Sequence, residues 1–249
     1  MSDRMKVLVF DIWGDYAHFR KFYTTTSPLT FSFPPPPTIA GILGAIYGTA
    51  KETNQYLKMF CGDGSWITVR IVQPIKKVRM GLNLVDTTNK VWKPKGRTQI
   101  RTEFVKAPHY RIYFSHQDKQ ILNDIAASIK GHKTVYTLSL GLSELLANFK
   151  YIGEFNGVIK NDGEWVDIIT PITEENLTPN GIMVEAGKKY IKEKMPIKMT
   201  PERKVEKYDE VIFEPNGKTI KAMIKCYCQL DNGENITFFW DLLSSRNTS

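Results

Sequence analysis

The sequence predicts an α+β fold, and three observations carry that prediction. Two strand–helix–strand runs occupy the first 157 residues, a long basic excursion is inserted between them, and a strand-rich, proline-broken stretch follows residue 158. At 249 residues, with 42% hydrophobic and 24% charged content, the chain can bury a sizeable core as one large domain or two small ones.

Residues 6–13 are rich in Val, Leu, Ile and Phe and read as a buried first strand. A loop follows in which Tyr16, His18, Phe19, Arg20, Lys21, Phe22 and Tyr23 crowd together, and then the proline run 34–37. Thr38 is the expected cap of a helix whose apolar face is Ile39, Ile42, Leu43, Ile46 and Tyr47. Gly41, Gly44 and Gly48 fall on its other side. An interior glycine costs a helix about 1 kcal/mol against alanine, so three in a line imply close approach of something: packing within the chain, a partner subunit or a nucleic-acid strand.

A second helical piece is expected over residues 51–59, and residues 66–73 (WITVRIVQ) form a strand stopped by Pro74. Residues 76–114 read as a β-excursion with the basic tip KPKG, returning to the sheet through PHYRIYF. Residues 117–129 form a helix with Ser115 or Asp118 as cap and Gly131 as its end. Residues 135–138 are expected as a short strand, 141–149 as a short helix or turn, and 150–156 as another strand. This order is that of a ferredoxin-like (RRM-like) unit over residues 1–157, with an inserted basic hairpin at about 81–107. Residues 158–249 form a C-terminal β-rich lobe, ending in an expected three-stranded meander around the turns at 215–217 and 231–233.

Charge narrows the function. Thirty-four basic residues face 26 acidic ones, a net +8, and the excess is clumped. Residues 90–111 hold seven basic residues against Glu103 alone, and residues 188–207 hold eight against three acids. The first clump points to an anionic polymer; the second reads equally well as a solvated loop. Arg and Lys interleaved with aromatics after residue 15 suit RNA, with charge for phosphate and ring faces for bases.

Other classes find little support. No apolar run reaches transmembrane length, and the N-terminus lacks the pattern of a signal peptide, so a cytoplasmic protein without membrane association is expected. Cys61, Cys226 and Cys228 read as reduced, half-buried thiols rather than as a metal set, and no cofactor or metal is expected. Gly217-Lys218-Thr219 lacks the glycine and the helix of a phosphate loop and reads as a hairpin turn. His18, with Tyr16 and Lys21, has the residue types of a metal-independent ribonuclease, but the same side chains serve as stacking and phosphate contacts, which is the reading preferred here.

The segment DYAHFRKFYTTTSPLTFSFPPPPTIAGILGAIYG (residues 15–48) resembles the N-terminal signature of the CRISPR-associated protein five family, most closely its type I-B variant. TQIRTEFVKAPHYRIYF (98–114) and TLSLGLSELLANFKYIGEF (137–155) are similar to two further family stretches. The resemblance implies a palm carrying a thumb hairpin, in a subunit of a type I Cascade surveillance complex of antiviral defence. That subunit holds the 5′ handle of the crRNA and contacts the backbone subunit and the large subunit, meeting target DNA only through the complex. Carried over by position, it nominates Tyr16, His18, Arg20 and Lys21 in the palm loop, and Lys93, Lys95, Arg97, Gln99 and Arg101 in the thumb. Relatives from type I-C systems cut precursor RNA with a tyrosine, lysine and histidine set that has no secure counterpart here, so the resemblance implies a non-catalytic subunit. The glycine-rich loop often found near the C-terminus of the wider superfamily is missing from this sequence. A metal-independent endoribonuclease using His18, Tyr16 and Lys21 and a protein-binding scaffold using the Gly41/Gly44/Gly48 face are the alternatives.

Overall fold

The computed structural model describes residues 4–24, 26–50, 52–62, 64–85, 96–161 and 163–240. The elements are, in order, β1 (Arg4–Gly14), β2 (Tyr16–Ala17), α1 (Pro36–Tyr47), α2 (Gln55–Phe60), β3 (Ser65–Ile71), β4 (Lys77–Val85), β5 (Arg97–Lys106), β6 (His109–His116), α3 (Lys119–Lys130) and β7 (Ala147–Lys160). After them come β8 (Trp165–Ile168), β9 (Ile172–Thr173), β10 (Leu177–Ile182), β11 (Ile191–Met199), β12 (Val205–Phe213), β13 (Ile220–Ile224), β14 (Tyr227–Leu230) and β15 (Asn235–Ile236). The fold is α+β and mostly strand.

A six-stranded sheet in the order β15-β14-β7-β1-β6-β3 forms the centre. β1 pairs antiparallel with both β6 and β7, and β3 pairs antiparallel with β6. Leu8, Phe10 and Ile12 face the helices and join a core with Ile39, Leu43, Ile46, Leu122 and Ile125. Val7 and Val9 face the other way and are covered by Cys226, Cys228, Leu230, Ile236 and Phe238. Both faces of β1 are therefore buried, which is why its sequence is a continuous apolar run rather than an alternation. Asp11, on the same side as Val7 and Val9, is held there by Arg111, whose Nε donates at 2.8 Å.

The proline segment lies inside the protein. Phe33 packs edge-on to Phe213 at 5.0 Å between ring centroids and stacks on Phe239 at 6.2 Å. Met195, Ile197, Val211 and Phe213 of β11 and β12 belong to the same core as the N-terminal helices. The division expected at 157/158 falls within β7, and the chain after it supplies β14 and β15 to the central sheet besides two small sheets, β10-β13-β8 and β11-β12-β9. No helix among the described residues is long and apolar enough to cross a membrane.

Several local expectations are corrected. Thr38 does not cap α1: the helix starts at Pro36 after Pro35, with no side-chain cap, because the fixed φ of proline already suits the first turn. The glycine line, by contrast, is filled by packing within the chain, one of the readings expected of it. A Cβ on Gly44 would lie 2.5 Å from that of Tyr56, and Gly48 (φ +90°) ends the helix against Val135. The second helix is α2, later than expected. Residues 135–138 form no strand, because the amides of Val135 and Tyr136 both donate to the Ala45 carbonyl at the end of α1. The cysteines are fully buried rather than half-buried, and burial pushes the Cys61 thiol up to about 11.

The C-terminal meander also differs. Glu214 accepts from the amides of Asn216 and Lys218, fixing a turn that carries the chain into a different sheet, where β13 pairs with β8 and β10. The side chain of Asn176 then bonds both the amide and the carbonyl of Cys226, breaking the expected long strand between β13 and β14. Only the last turn forms the hairpin expected, β14–β15. By contrast, α3 is capped by Asp118, whose carboxylate accepts from the Gln120 amide at 2.8 Å, and ends at Gly131 as expected.

Candidate nucleic-acid interface

The basic-aromatic loop and the basic hairpin, distant in sequence, are brought together by one short ladder. β2 pairs with β5, setting Tyr16 opposite Lys106 and Ala17 opposite Val105, while β5 pairs along its length with β4. The period of two then sorts the hairpin into two faces. Arg79 lies opposite Glu103, Gly81 opposite Arg101 and Asn83 opposite Gln99, so Arg79, Asn83, Gln99 and Arg101 share an exposed polar face. Met80, Leu82, Leu84 and Ile100 form the other, apolar face. Arg97 belongs to β5 opposite Val85, and its side chain, with Lys93 and Lys95, lies outside the described residues.

The apolar face looks onto a cleft of about 920 Å³, closed on its other sides by the palm loop, the start of α1 and residues 137–144. Arg20, Arg203 and His18 supply its polar edge, and Leu84, Ile100 and Leu142 its apolar wall. The loop fits because Gly141 takes φ +105° with its Cα against the chain at His18; a Cβ there would sit 1.9 Å from the His18 carbonyl oxygen.

The four palm-loop candidates have different fates. Arg20 is exposed at the cleft, its guanidinium donating to the Thr24 carbonyl at 3.2 Å. Tyr16 is half-buried, edge-on to Phe104 at 6.2 Å. His18 is only 4% exposed; its Nδ1 donates to the Glu103 carbonyl at 2.7 Å and its ring lies 5.5 Å from Phe104. Burial holds its pKa below the ordinary 6.5, so the imidazole is neutral, with Nε2 as acceptor.

Lys21 turns inward to Glu193 at 3.2 Å, between the rings of Phe31 and Tyr23. Burial opposes its charge, but Glu193 and Tyr23 outweigh that and raise its pKa. Glu193 also accepts from the Ser32 hydroxyl and amide and from Lys77. No hydrogen bond joins Tyr16, His18 and Lys21 to one another among the described residues. Nor does any group of three or more His, Cys, Asp or Glu there have the arrangement to hold a metal ion.

Sequence reasoning missed Arg79, Asn83 and Arg203. The first two follow from alternation once Arg101 is placed opposite Gly81. Arg203 was visible only as one of the basic residues of 188–207, since its place at the cleft depends on how β11 and β12 pack. At least three of the eight cations of the second basic clump are paired within the fold: Lys188 with Glu185, Lys192 with Glu174 and Lys207 with Glu175.

Among solved structures, the chain is similar to a CRISPR protein from Archaeoglobus fulgidus, at 14% identity and a TM-score of 0.55, over 93% of this chain and 97% of that one. It also resembles a chain of a CRISPR RNA-guided surveillance complex, at 8% identity and a TM-score of 0.49, over 97% and 96% of the two chains. No protein with a curated description matches it. The family model described as CRISPR-associated protein (Cas_Cas5) matches residues 7–213, a span that runs from within β1 to the end of β12 and holds every described residue of the interface. The chain belongs to the Cas5 family of CRISPR-associated proteins.

Proposed function

We propose that this protein is a non-catalytic subunit of a type I CRISPR surveillance complex of the Cascade kind, and that it binds and caps the 5′ handle of the crRNA. In this reading β1, α1, β3, β6, α3 and β7 are a ferredoxin-like palm, and the β4–β5 hairpin is its thumb. The strand order β7-β1-β6-β3, with a helix in each of the two crossovers, supports that description. Family membership supports a place in a CRISPR effector complex; the proposal adds the backbone and large subunits as neighbours, target DNA met through the assembly, and a cytoplasmic location.

The observation that carries the proposal is the polar face of the hairpin. Arg79, Asn83, Gln99 and Arg101 form a row of cationic and hydrogen-bonding groups on an arm beside a cleft edged by Arg20 and Arg203, with Arg79, 61% exposed, 3.6 Å from Glu103 at the row's base. Such a row tracks a phosphate backbone, and neutralising phosphates makes affinity salt-dependent. The burial of His18 and the engagement of Lys21 by Glu193 favour binding over cleavage, since a general base must reach the proton it removes.

The test is a salt titration of binding to single-stranded repeat RNA. Each phosphate contact to a single strand contributes about 0.7 to the slope of log K against log salt. The Arg79→Gln/Arg101→Gln double variant is therefore expected to lower the slope by about 1.4. An unchanged slope removes the hairpin from the interface.

A further inference from the structure

Three large rings stand exposed outside the cleft: Phe22 at 52%, Tyr23 at 57% and Tyr208 at 39%. They come from two distant segments, the palm loop and β12, yet they form one cluster. Phe22 lies 4.8 Å from Tyr208 at an interplanar angle of 50°, and 5.1 Å from Tyr23 at 89°. Cations accompany them: Lys194 of β11 is 5.9 Å from the Tyr208 centroid, and Lys21 is 5.9 Å from that of Tyr23.

We propose that Phe22, Tyr23 and Tyr208 form a stacking platform for unpaired bases of single-stranded RNA, with Lys194 placed for the adjoining phosphate. The proposal rests on the RNA-binding reading above and adds to it a second contact surface, because none of the three rings lines the cleft. Two features favour RNA over an apolar protein surface. The exposed groups are all aromatic, offering π-faces rather than aliphatic knobs, and they carry ammonium groups at cation–π range. Lys21 is already neutralised by Glu193, which leaves Lys194 as the ammonium beside the rings, opposite Glu210 in the β11–β12 ladder. Proteins rarely leave clustered large apolar groups exposed without a use for them.

The test uses the purified full chain and a single-stranded oligouridine carrying 2-aminopurine at successive positions, whose fluorescence is quenched when the base stacks. Wild type is expected to quench the probe at particular positions. Phe22→Ala/Tyr208→Ala is expected to lose that quenching and to bind about tenfold more weakly, with an unchanged salt slope, because stacking carries no counterion release. Phe22→Trp/Tyr208→Trp keeps both properties, which separates a missing ring from a disturbed fold. If the alanine pair binds and quenches as wild type while the Arg79/Arg101 variant still loses slope, the platform is wrong and the hairpin reading stands. If wild type binds no RNA, both fall. If the alanine pair binds RNA normally but no longer co-assembles with the other proteins of its complex, the cluster is a protein-docking surface and the RNA platform is overturned.

Discussion

Glu193 joins the palm loop, the base of the hairpin and β11, and its removal is the sharpest stability test the structure offers. Its carboxylate meets Lys21 at 3.2 Å and Lys77 at 3.4 Å, and accepts from the Ser32 hydroxyl at 3.1 Å. Exposed ion pairs contribute about 0–1 kcal/mol, whereas severing a buried pair costs about 3–5 kcal/mol. The Lys21 and Glu193 side chains are 12% and 10% exposed, which puts them near the buried limit. Their separation is longer than the ~2.8 Å of a strong charge-assisted bond, which draws the figure down.

Glu193→Ala is therefore expected to cost roughly 2–3 kcal/mol, or about 4–12 °C in melting temperature for a chain of this length. Urea unfolding with a Lys21→Met/Glu193→Gln double-mutant cycle isolates the pair, with an expected coupling of about 1–2 kcal/mol. Because Lys21's pKa is raised above its ordinary 10.5, the pair's contribution is full below that value and is lost as pH rises through the raised one. A Glu193→Ala protein with the urea midpoint and melting temperature of wild type would refute the claim that this carboxylate holds the three segments together.

Two further outcomes follow from the same neighbourhood. Gly141→Ala forces a Cβ against the His18 carbonyl at a backbone angle unsuited to alanine, and should destabilise by about 2–4 kcal/mol in urea unfolding; a neutral effect would mean that the loop does not pack on His18. His18 has a folded pKa below 6.5, so the unfolded chain takes up the proton first and stability falls as pH drops below 6.5. A His18→Asn variant should lack that component of the slope between neutral pH and pH 5, and identical slopes in the two proteins would contradict a buried neutral imidazole.

What the sequence made legible was local. The apolar run at Val7–Ile12, the Asp118 cap and the Asn-Gly turn after Leu230 each declare their structure within a few residues. The hairpin's basic character and the place of Arg20 and His18 in one loop were legible as composition and order; the cleft they share was not. The rest depended on partners far along the chain. Lys21 looked like a phosphate ligand because Glu193, 172 residues away, is not a neighbour in sequence. The glycine line of α1 was visible, but its occupant was not, since Tyr56 and Val135 reach it only after the chain turns back. Alternation gave extended chain after residue 208, but neither the break between β13 and β14 nor the strands' partners: Glu214 and Asn176 redirect the chain between sheets through side-chain hydrogen bonds that no periodicity encodes. The exposed ring cluster joins Phe22 and Tyr23 to Tyr208, a residue with no distinguishing context of its own.

The proposed function is to hold RNA without cutting it. The direct measurement is to incubate the purified chain with labelled repeat-containing RNA in EDTA and to run native and denaturing gels side by side. A shifted band on the native gel and intact RNA on the denaturing gel are expected, for wild type and for His18→Ala alike. A discrete cut that His18→Ala abolishes would contradict it and make the protein a processing nuclease; intact RNA with no shift would remove RNA binding from the chain itself.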